Sequence, residues 1–305
     1  MQNLITLFDL QPDDIRDIFQ RARDLKADLR NGKRNPILAG RVLTQVFQKP
    51  SLRTRLSFEA AMIQLGGGGI FISNKDSGLE GREATADVAR VIGGYSDVIV
   101  LRTFDQSLID EFGRHAGCAV VNGLSDESHP CQALTDLFTM QEVLGDLSGR
   151  KLAYVGDGNN VACSLARACA MLGVTFTVAA PKPYQLSSQI LSDIQAAFPS
   201  ADISQHVDPK SAVQNADIVY TDVWASMGQE DEKDQRKADF AHYQVNADLM
   251  SAARPDAKFM HCLPARRGLE VTDDVMDGPA SLAFPQADNR MHLAKGLFAW
   301  LLDRS

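Results

Sequence analysis

The sequence predicts an α/β protein with two doubly wound parallel-sheet domains, and three observations lead to this fold class. Short apolar runs alternate with segments of helical periodicity along the 305 residues, and such alternation implies parallel sheets covered by helices on both faces. The alternation is interrupted at Gly145–Gly149 and then starts again. At about 100–200 residues per domain, this length fits two domains. We therefore expect one domain over residues 1–145 and a second over 146–285.

The first domain is expected to begin with a helix at Gln11-Pro12-Asp13-Asp14. Proline suits the first helical position and acidic residues suit the first turn. Apolar residues then recur at helical spacing until Gly32, which is typical of a helix end. The strands predicted for this domain are Val42–Phe47, Ile70–Ser73, Val98–Arg102 and Ala119–Val121. The other predicted helices are Thr54–Leu65, Glu83–Ile92, Leu108–His115 and Pro130–Leu144.

The second domain repeats this alternation with different spacing. Its predicted strands are Lys151–Val155, Val174–Ala179, Ile218–Thr221 and Phe259–Cys262. Its predicted helices are Asn160–Leu172 and Ser187–Ala197, and a last helix is predicted over Ala287–Leu302. The segment Gly228–Asp239 is very polar, which indicates a mobile surface loop, and long loops are often functional.

Composition excludes several classes of protein. The net charge is −8 and the pI about 5.3, whereas a nucleic-acid-binding face is usually basic. No apolar run approaches the ~20 residues of a membrane span, and Met1–Asp9 lacks the basic and apolar regions of a signal peptide. The cysteine count is odd and no CxxC pair occurs, so we expect neither disulfides nor a metal site. A reduced, cytoplasmic protein is the expectation. The five cysteines are Cys118, Cys131, Cys163, Cys169 and Cys262.

The turn Lys49–Arg55 is the first candidate site, because it joins a predicted strand to a predicted helix. Backbone N–H groups at a helix N-terminus favour an anion. Ser51 and Thr54 add hydroxyl donors, and Arg53 adds a planar fork that suits phosphate. The alternative is a helix N-cap followed by a solvated basic turn.

Two further segments carry polar residues where α/β folds place ligands. Arg102 ends an apolar strand, and strand carboxyl ends are where such folds bind ligands. His129 precedes a predicted helix and could donate a hydrogen bond to a carbonyl oxygen on which negative charge develops. Gln132 lies one turn further, on the same face. The alternatives are a solvated arginine and a histidine that only caps its helix.

The turn from Gly156 to Val161 is a partial match to the dinucleotide-binding fingerprint. Gly156 and Gly158 are present, but Val161 replaces the third glycine. A lone GxG after a strand is weak support for a nicotinamide cofactor. We interpret the segment as a tight turn that presents asparagine side chains, and an NAD-dependent oxidoreductase remains an alternative. No cofactor is expected.

The segment Asp222–Glu230 follows a predicted strand. Asp222 could bind an ammonium group, and the backbone around Ser226 and Met227 could bind a carboxylate. The alternative is an acidic surface loop, for which an exposed Trp-Met pair would be unusual.

The pair His261-Cys262 raises the question of a thiol nucleophile. Adjacent strand residues point to opposite faces, so His261 is poorly placed to activate Cys262. A positioning role for the Cys262 side chain and the Leu263 carbonyl is favoured.

The segment Gln286–Arg290 begins the last predicted helix. A cation near a helix N-terminus opposes the helix dipole, and a bound anion would explain Arg290. A surface arginine is the alternative.

Taken together, these segments resemble the aspartate/ornithine transcarbamylase family, and within it the enzymes that use ornithine. The resemblance rests on Ser-Leu-Arg-Thr-Arg at 51–55, His-Pro-Cys-Gln at 129–132, Asp-Val-Trp-Ala-Ser-Met-Gly at 222–228 and His-Cys-Leu-Pro at 261–264. Their order and spacing match along nearly the whole chain. The resemblance implies a carbamoyl-phosphate domain followed by an amino-acid domain. It also implies that the last helix, within 286–305, packs back on the first domain.

The resemblance also implies the activity and the residues that carry it. The δ-amine of ornithine would attack carbamoyl phosphate without a metal or a covalent intermediate, giving citrulline and phosphate. Homotrimers or multiples of trimers, with active sites between subunits, are implied, as is a place in arginine biosynthesis. The residues implied for carbamoyl phosphate are Ser51, Leu52, Arg53, Thr54, Arg102, His129, Gln132, Cys262 and Arg290. Those implied for ornithine or its orientation are Asn160, Asp222, Ser226, Met227, Cys262 and Leu263. Those implied in catalysis are Arg102, His129, Cys262 and Arg290.

Two positions depart from the family's pattern. Leu52 replaces a usual threonine, so a hydroxyl contact to phosphate is lost although the backbone N–H remains. Gly78 stands where a neighbouring subunit's glutamine is usual, and Lys75 or Arg82 could substitute for it. A leucine at position 52 is similar to what is expected of relatives that use N-acetylated or N-succinylated ornithine. One alternative is therefore a transcarbamylase for another amine, such as N-acetylornithine, N-succinylornithine or putrescine. A second alternative is a non-catalytic protein that binds carbamoyl phosphate.

Overall fold

In the computed structural model, which describes residues 2–79, 83–225 and 228–302, the chain divides into two units. The first unit runs to Thr135 and resumes at Asp288, and the second runs from Asp136 to Ala287. Two helices therefore cross the boundary: α5 (Pro130–Leu144) and α12 (Ala283–Leu302). Within the described ranges, no helix is both long enough and apolar enough to cross a membrane.

The sheet of the first unit is parallel, with four strands among the described residues in the order β2-β1-β3-β4. Its central strands are buried, whereas the edge strand β2 begins with three exposed residues. The strands are β1 (Val42–Phe47), β2 (Gly68–Ser73), β3 (Val98–Arg102) and β4 (Ala119–Leu124). The helices are α1 (Pro12–Arg30), α2 (Leu52–Gln64), α3 (Thr85–Tyr95) and α4 (Gln106–His115).

The second unit carries a parallel sheet in the order β7-β6-β5-β8-β9, counted over the residues described. The strands are β5 (Lys151–Val155), β6 (Thr175–Ala179), β7 (Ile203–His206), β8 (Ile218–Thr221) and β9 (Lys258–His261). The helices are α6 (Asn160–Leu172), α7 (Ser188–Ala197), α8 (Pro209–Val213), α9 (Lys233–Asp239), α10 (Ala247–Ser251) and α11 (Asp273–Met276). Both sheets are parallel, so the predicted fold class is confirmed.

The last helix belongs to the first unit over most of its length. Phe298 of α12 contacts Phe58 of α2, with ring centroids 5.6 Å apart. Lys26 of α1 donates a hydrogen bond from Nζ to Asn289 Oδ1 at 2.6 Å. The return of the last helix to the first domain is confirmed.

Two of the structural elements predicted from the sequence differ from those observed, and the predictions are wrong there. The last helix begins at Ala283 rather than Ala287, because Pro285 falls in the first turn, where its missing N–H costs nothing. The segment predicted as a loop over Gly228–Asp239 contains the helix α9. Strand β7 was not predicted, since each of its residues is only half-buried and most are polar.

Candidate functional site

The N-terminus of α2 lies just after the carboxyl end of β1, and its cap is formed by Ser51. Ser51 Oγ accepts a hydrogen bond from the Thr54 backbone N–H at 3.3 Å and donates one to Thr54 Oγ1 at 3.0 Å. Ser51 is therefore an N-cap, as the alternative interpretation of this turn proposed. Leu52, the next residue, is 70% exposed.

Arg290 links this turn to α5. Its guanidinium donates hydrogen bonds to Thr54 Oγ1, at 2.8 Å, and to Gln132 Oε1. Arg290 is buried and lies in the third turn of α12, since the helix begins at Ala283. The expectation that it opposes the dipole at a helix N-terminus is therefore wrong. Its position is explained by these two acceptors.

Arg102 ends β3 and is buried beside other cations. Burial, followed by the positive charges of Arg290 and Arg53, lowers its pKa to about 10. Within the described residues its Nε atom has no hydrogen-bond partner. Burying a charge is costly unless it is paired. A guanidinium buried among like charges is therefore suited to a bound anion.

His129 precedes α5 and is also buried. Burial, followed by the charges of Arg290 and Arg102, holds its pKa well below the usual value. The imidazole is therefore neutral at physiological pH. A neutral imidazole among cations can donate a hydrogen bond to a polarised oxygen without adding a further charge.

Lys49 belongs to the same turn but is already paired. It forms an ion pair with Asp126, and its Nζ lies 4.3 Å from the centre of the Phe104 ring. The first unit therefore gathers three arginines and a neutral histidine, while Lys49 is compensated locally.

In the second unit, Asp222 follows β8 and has three donors. Its Oδ1 accepts hydrogen bonds from Cys262 Sγ at 3.0 Å and from the Val223 N–H at 2.8 Å. Its Oδ2 accepts one from Asn159 Nδ2 at 3.1 Å. The sequence singled out Asn160, whereas Asn159 makes this contact. The preference of asparagine for helix N-caps could have identified it.

Asn159 also explains the glycine-rich turn. Its Oδ1 accepts the backbone N–H groups of Val161 and Ala162 at 2.9 and 3.2 Å, so it caps α6 at the place where a dinucleotide phosphate would bind. A Cβ on Gly158 would lie 2.8 Å from backbone atoms of Tyr184, Gln185 and Leu186. Packing therefore accounts for this glycine, and the turn gives no support to the NAD alternative.

Cys262 carries a protonated thiol. Burial and the Asp222 carboxylate raise its pKa well above the usual value. Because the thiolate is the nucleophilic form, the surroundings oppose a nucleophilic role and favour a positioning role.

His261 is held by groups other than Cys262. Its Nδ1 accepts the Leu263 N–H at 2.9 Å, and its Nε2 lies 3.2 Å from Glu270 Oε1. Because Nδ1 accepts, the proton is on Nε2 and is donated to Glu270. Leu263 has a left-handed backbone, with φ of 60°, and this hydrogen bond holds that conformation.

Asp222, His261 and Cys262 have metal-ligand atoms within 4.8 Å of one another. The hydrogen bonds just described already use these atoms. A metal ion would have to displace the thiol proton and the Leu263 N–H.

Three residues that the sequence analysis missed surround this group. Tyr220 Oη donates to Asp136 Oδ2 at 3.0 Å, and Gln286 Nε2 donates to Asp136 Oδ1 at 2.6 Å. Gln286 Oε1 accepts the His261 N–H at 3.0 Å. Burial, followed by Asp136, raises the pKa of Tyr220 well above the usual value. Only tertiary packing brings these residues together, so no local pattern could have identified them.

Arg236, in α9, anchors the segment that follows Asp222. The guanidinium donates to Asp157 Oδ2 at 2.8 Å and to the Trp224 carbonyl at 3.0 Å. Its Nε donates to Glu232 at 2.8 Å, and the group lies 4.8 Å from the Tyr184 ring centre. The predicted surface loop is thus held by a buried cation. Ser226, Met227 and Arg82 lie outside the described residues.

The fold and these sites define a two-unit α/β protein with a cationic, anion-receptive site in one unit and a carboxylate–thiol site in the other. Two family models match it: the carbamoyl-P binding domain of aspartate/ornithine carbamoyltransferases over residues 2–142, and the Asp/Orn binding domain over 148–301. The chain therefore belongs to the aspartate/ornithine carbamoyltransferase family.

Relatives and solved structures agree with this membership. The chain is 46% identical to an ornithine carbamoyltransferase of Bacillus subtilis over 99% of this chain and 94% of the relative. The solved ornithine carbamoyltransferase of Pyrococcus furiosus matches with a TM-score of 0.95 at 44% identity, covering 99% and 97% of the two chains. The anabolic ornithine carbamoyltransferase of Campylobacter jejuni matches with a TM-score of 0.92 at 34% identity, covering 100% of both chains.

Proposed function

We propose that this chain transfers the carbamoyl group of carbamoyl phosphate to the δ-amine of L-ornithine, giving L-citrulline and phosphate. The observation that carries the proposal is the group of Arg53, Arg102 and Arg290 around a neutral His129. These cations match a phosphate, and the imidazole matches a carbonyl oxygen. Membership of the family supports the same reaction.

Carbamoyl phosphate is assigned to the first unit. The phosphate takes hydrogen bonds from the turn at the start of α2 and charge from the arginines. Anions bind readily at helix N-termini, and arginine forks suit phosphate oxygens. Gln132 orients Arg290 through its side-chain oxygen. The residues assigned are Ser51, Leu52 through its backbone N–H, Arg53, Thr54, Arg102, His129, Gln132, Arg290 and Cys262.

In the reaction, the neutral δ-amine attacks the carbonyl carbon of carbamoyl phosphate. A C–N bond forms, the C–O bond to phosphate breaks, and the amine gives up one proton to phosphate or solvent. His129 and Arg102 stabilise the negative charge that develops on the carbonyl oxygen. Arg290 stabilises the leaving phosphate, and holding both substrates in line lowers the barrier further.

Ornithine is assigned to the second unit. Asp222 binds the α-ammonium group, and Cys262 and Asn159 fix the orientation of the carboxylate. The Leu263 carbonyl accepts from an amine of the substrate, Asn160 lies beside it, and Ser226 and Met227 bind the α-carboxylate. Because an acyl group would remove the ammonium charge, free ornithine suits Asp222 better than its acylated forms.

The oligomeric state, the cellular compartment and the pathway are also proposed. We place the protein in the cytoplasm as a homotrimer or a multiple of trimers, in arginine biosynthesis. The Campylobacter jejuni relative is named as an anabolic enzyme, which supports a biosynthetic direction. Leu52, Leu56 and Ile63 are exposed along one face of α2, and the edge strand β2 is exposed beside them. Exposed apolar patches and open strand edges are typical of protein interfaces. A second copy of this chain would cover them.

A ureido-product assay tests the function. It uses carbamoyl phosphate with ornithine, N-acetylornithine, N-succinylornithine, putrescine or aspartate. We expect strong turnover with ornithine alone. Turnover with another amine would keep the chemistry and overturn the substrate. Binding of carbamoyl phosphate without product from any amine would indicate a non-catalytic protein.

A further inference from the structure

A buried lysine of α12 has no partner for its charge. Lys295 is 2% exposed, and no hydrogen bond or ion pair reaches its Nζ atom from the part of the chain that the structure describes. Lysines are almost never fully buried unless they are paired. The surroundings of Lys295 therefore require an explanation.

Lys295 lines a small cavity between α1, the end of α2 and the turn that follows α1. Leu25 and Leu29 form its apolar side, and Arg34 and Asn35, which are exposed, form its outer wall. The cavity volume is about 10 Å³, close to that of one water molecule. A phosphate does not fit, and a carboxylate group attached to Nζ requires the exposed Arg34 and Asn35 side chains to move outward.

Two other groups on this cavity also lack partners among the described residues. Gln64 Oε1 is buried without a donor, while its Nε2 contacts the Met291 sulfur at 3.3 Å. The Arg34 guanidinium has no carboxylate within ion-pair distance in the same described ranges. The cavity thus presents an unused acceptor and an unused cation beside the amine.

The surrounding charges favour the neutral amine. Burial, followed by the charge of Arg34, lowers the pKa of Lys295 to about 8, and Asp288 opposes the shift. Asp288 is shared with His292 at 3.5 Å. Lys33 Nζ lies 3.9 Å from Asp28 Oδ1, so the charge of Lys33 is already compensated.

We propose that Lys295 is a modification site that reacts with dissolved carbon dioxide to form a carbamate. The lone pair of the neutral Nζ attacks the carbon of CO2, an N–C bond forms, and one C=O electron pair moves to oxygen. One proton leaves the nitrogen for solvent, so R–NH2 and CO2 give R–NH–COO⁻ and H⁺. No oxidant, reductant or metal is needed.

The carbamate matches the unpartnered cation. Its carboxylate places an anion beside the Arg34 guanidinium on the outer wall of the cavity. A charge-assisted hydrogen bond to guanidinium is stronger than a neutral one. The modification therefore turns an uncompensated site into a paired one and ties the turn after α1 to α12, independently of the reaction that the protein catalyses.

Carbon-13 NMR of the full-length protein with labelled bicarbonate tests this proposal. We expect a protein-bound carbamate signal that, at fixed total bicarbonate, grows with pH to about 8 and then levels. Lys295→Gln abolishes it. Arg34→Gln lowers it by roughly two- to fivefold, the range of a single exposed charge pair, and the matched Lys33→Gln leaves it unchanged.

Chemical trapping identifies the site without any variant. Alkylation by triethyloxonium in bicarbonate converts a carbamate to a stable ester, which peptide mass spectrometry locates. An ester on Lys295 supports the proposal even if Lys295→Gln does not fold. Absence of the ester on Lys295 while the N-terminal amine is trapped overturns it, as does a carbamate signal that Lys295→Gln retains.

Discussion

The thiol of Cys262 donates its hydrogen bond to the carboxylate of Asp222, at 3.0 Å. The pair places a thiol donor on one oxygen of Asp222 and fixes the direction in which the other oxygen can accept. Cys262 thus helps to orient the group that we assign to the ammonium of ornithine.

The first prediction concerns Asp222→Asn. It should raise the KM for ornithine by about 10- to 100-fold, because hydrogen bonds to charged groups contribute roughly 1.5–3 kcal/mol. The KM for carbamoyl phosphate should not change. Steady-state kinetics with each substrate varied in turn measures both constants. Equal KM values for ornithine in wild type and variant would remove Asp222 from the ornithine site.

His129→Gln is predicted to lower kcat by about 10²- to 10³-fold, the usual loss of one donor to a developing oxyanion. Folding should be retained, since glutamine offers a neutral donor of similar reach. Single-turnover rates with saturating carbamoyl phosphate separate this effect from substrate binding. A variant with unchanged kcat would show that His129 does not contact the reacting carbonyl.

His129 also predicts a pH dependence of stability. Its pKa is lowered in the folded state, so below the unfolded value of about 6.5 the unfolded chain binds the extra proton. The free energy of unfolding should therefore fall with decreasing pH below about 6.5, by up to ~1.4 kcal/mol per pH unit, and be unaffected above it. Denaturant titrations of wild type and His129→Gln give this difference. Parallel pH profiles for the two proteins would contradict the neutral imidazole.

The elements of the fold that the sequence predicted are those whose burial shows in a local pattern of residues. The buried apolar strands β1, β3, β5 and β8 were predicted with their observed bounds, because their continuous apolar runs record burial on both faces. Strand β7 could not be predicted, since Ser204, Gln205 and His206 show neither an alternation of apolar and polar residues nor an apolar run. A local sequence pattern therefore reveals a strand that is fully buried, but not a half-buried strand at the edge of a sheet.

The same distinction applies to the candidate site. Arg102 and Asp222 were identified because Arg102 ends one strand and Asp222 follows another, and a parallel sheet gathers the carboxyl ends of its strands at one edge. Tyr220 was missed, because its partner Asp136 lies 84 residues away along the chain. The N-cap preference of asparagine could have identified Asn159, but not its contact with Asp222, 63 residues away. Arg290 was identified for a wrong reason, its supposed place at a helix start. Its real partners, Thr54 and Gln132, lie 236 and 158 residues away.

Arg236→Met should both destabilise the protein and weaken ornithine binding. It leaves Asp157 buried without its cation, which costs about 3–5 kcal/mol, and the Trp224 carbonyl loses its donor. Adding Asp157→Asn should recover part of the stability. Lys237→Met, on the exposed face of the same helix, is the control and should change neither quantity. Denaturant unfolding and the KM for ornithine are measured for all four proteins, and a normal KM in Arg236→Met would show that α9 does not position this segment.

Glu270→Ala should destabilise the second unit, because the Nε2 proton of His261 then has no acceptor in a buried site. An unsatisfied buried donor costs about 1–3 kcal/mol. The Leu263 backbone should loosen with it, so the KM for ornithine should rise as well. Glu270→Gln keeps an acceptor oxygen and should restore most of both effects. If both variants lose the same stability, the charge of Glu270 rather than its hydrogen bond would be the stabilising feature.

Leu56→Glu tests the assembly that the exposed face of α2 implies. A buried charge without a partner is costly at an interface, so a trimer formed through this face should dissociate to monomers, with loss of activity if the active site needs a neighbouring subunit. On a monomer the same residue is already exposed, and the fold should tolerate the change. Val207→Glu is the matched control, because Val207 is similarly exposed but belongs to the second unit rather than to α2. Sedimentation equilibrium gives the mass of each protein. A trimer that survives Leu56→Glu would show that α2 faces solvent in the assembly, and the edge strand β2 would have to be tested separately through Ile70→Glu.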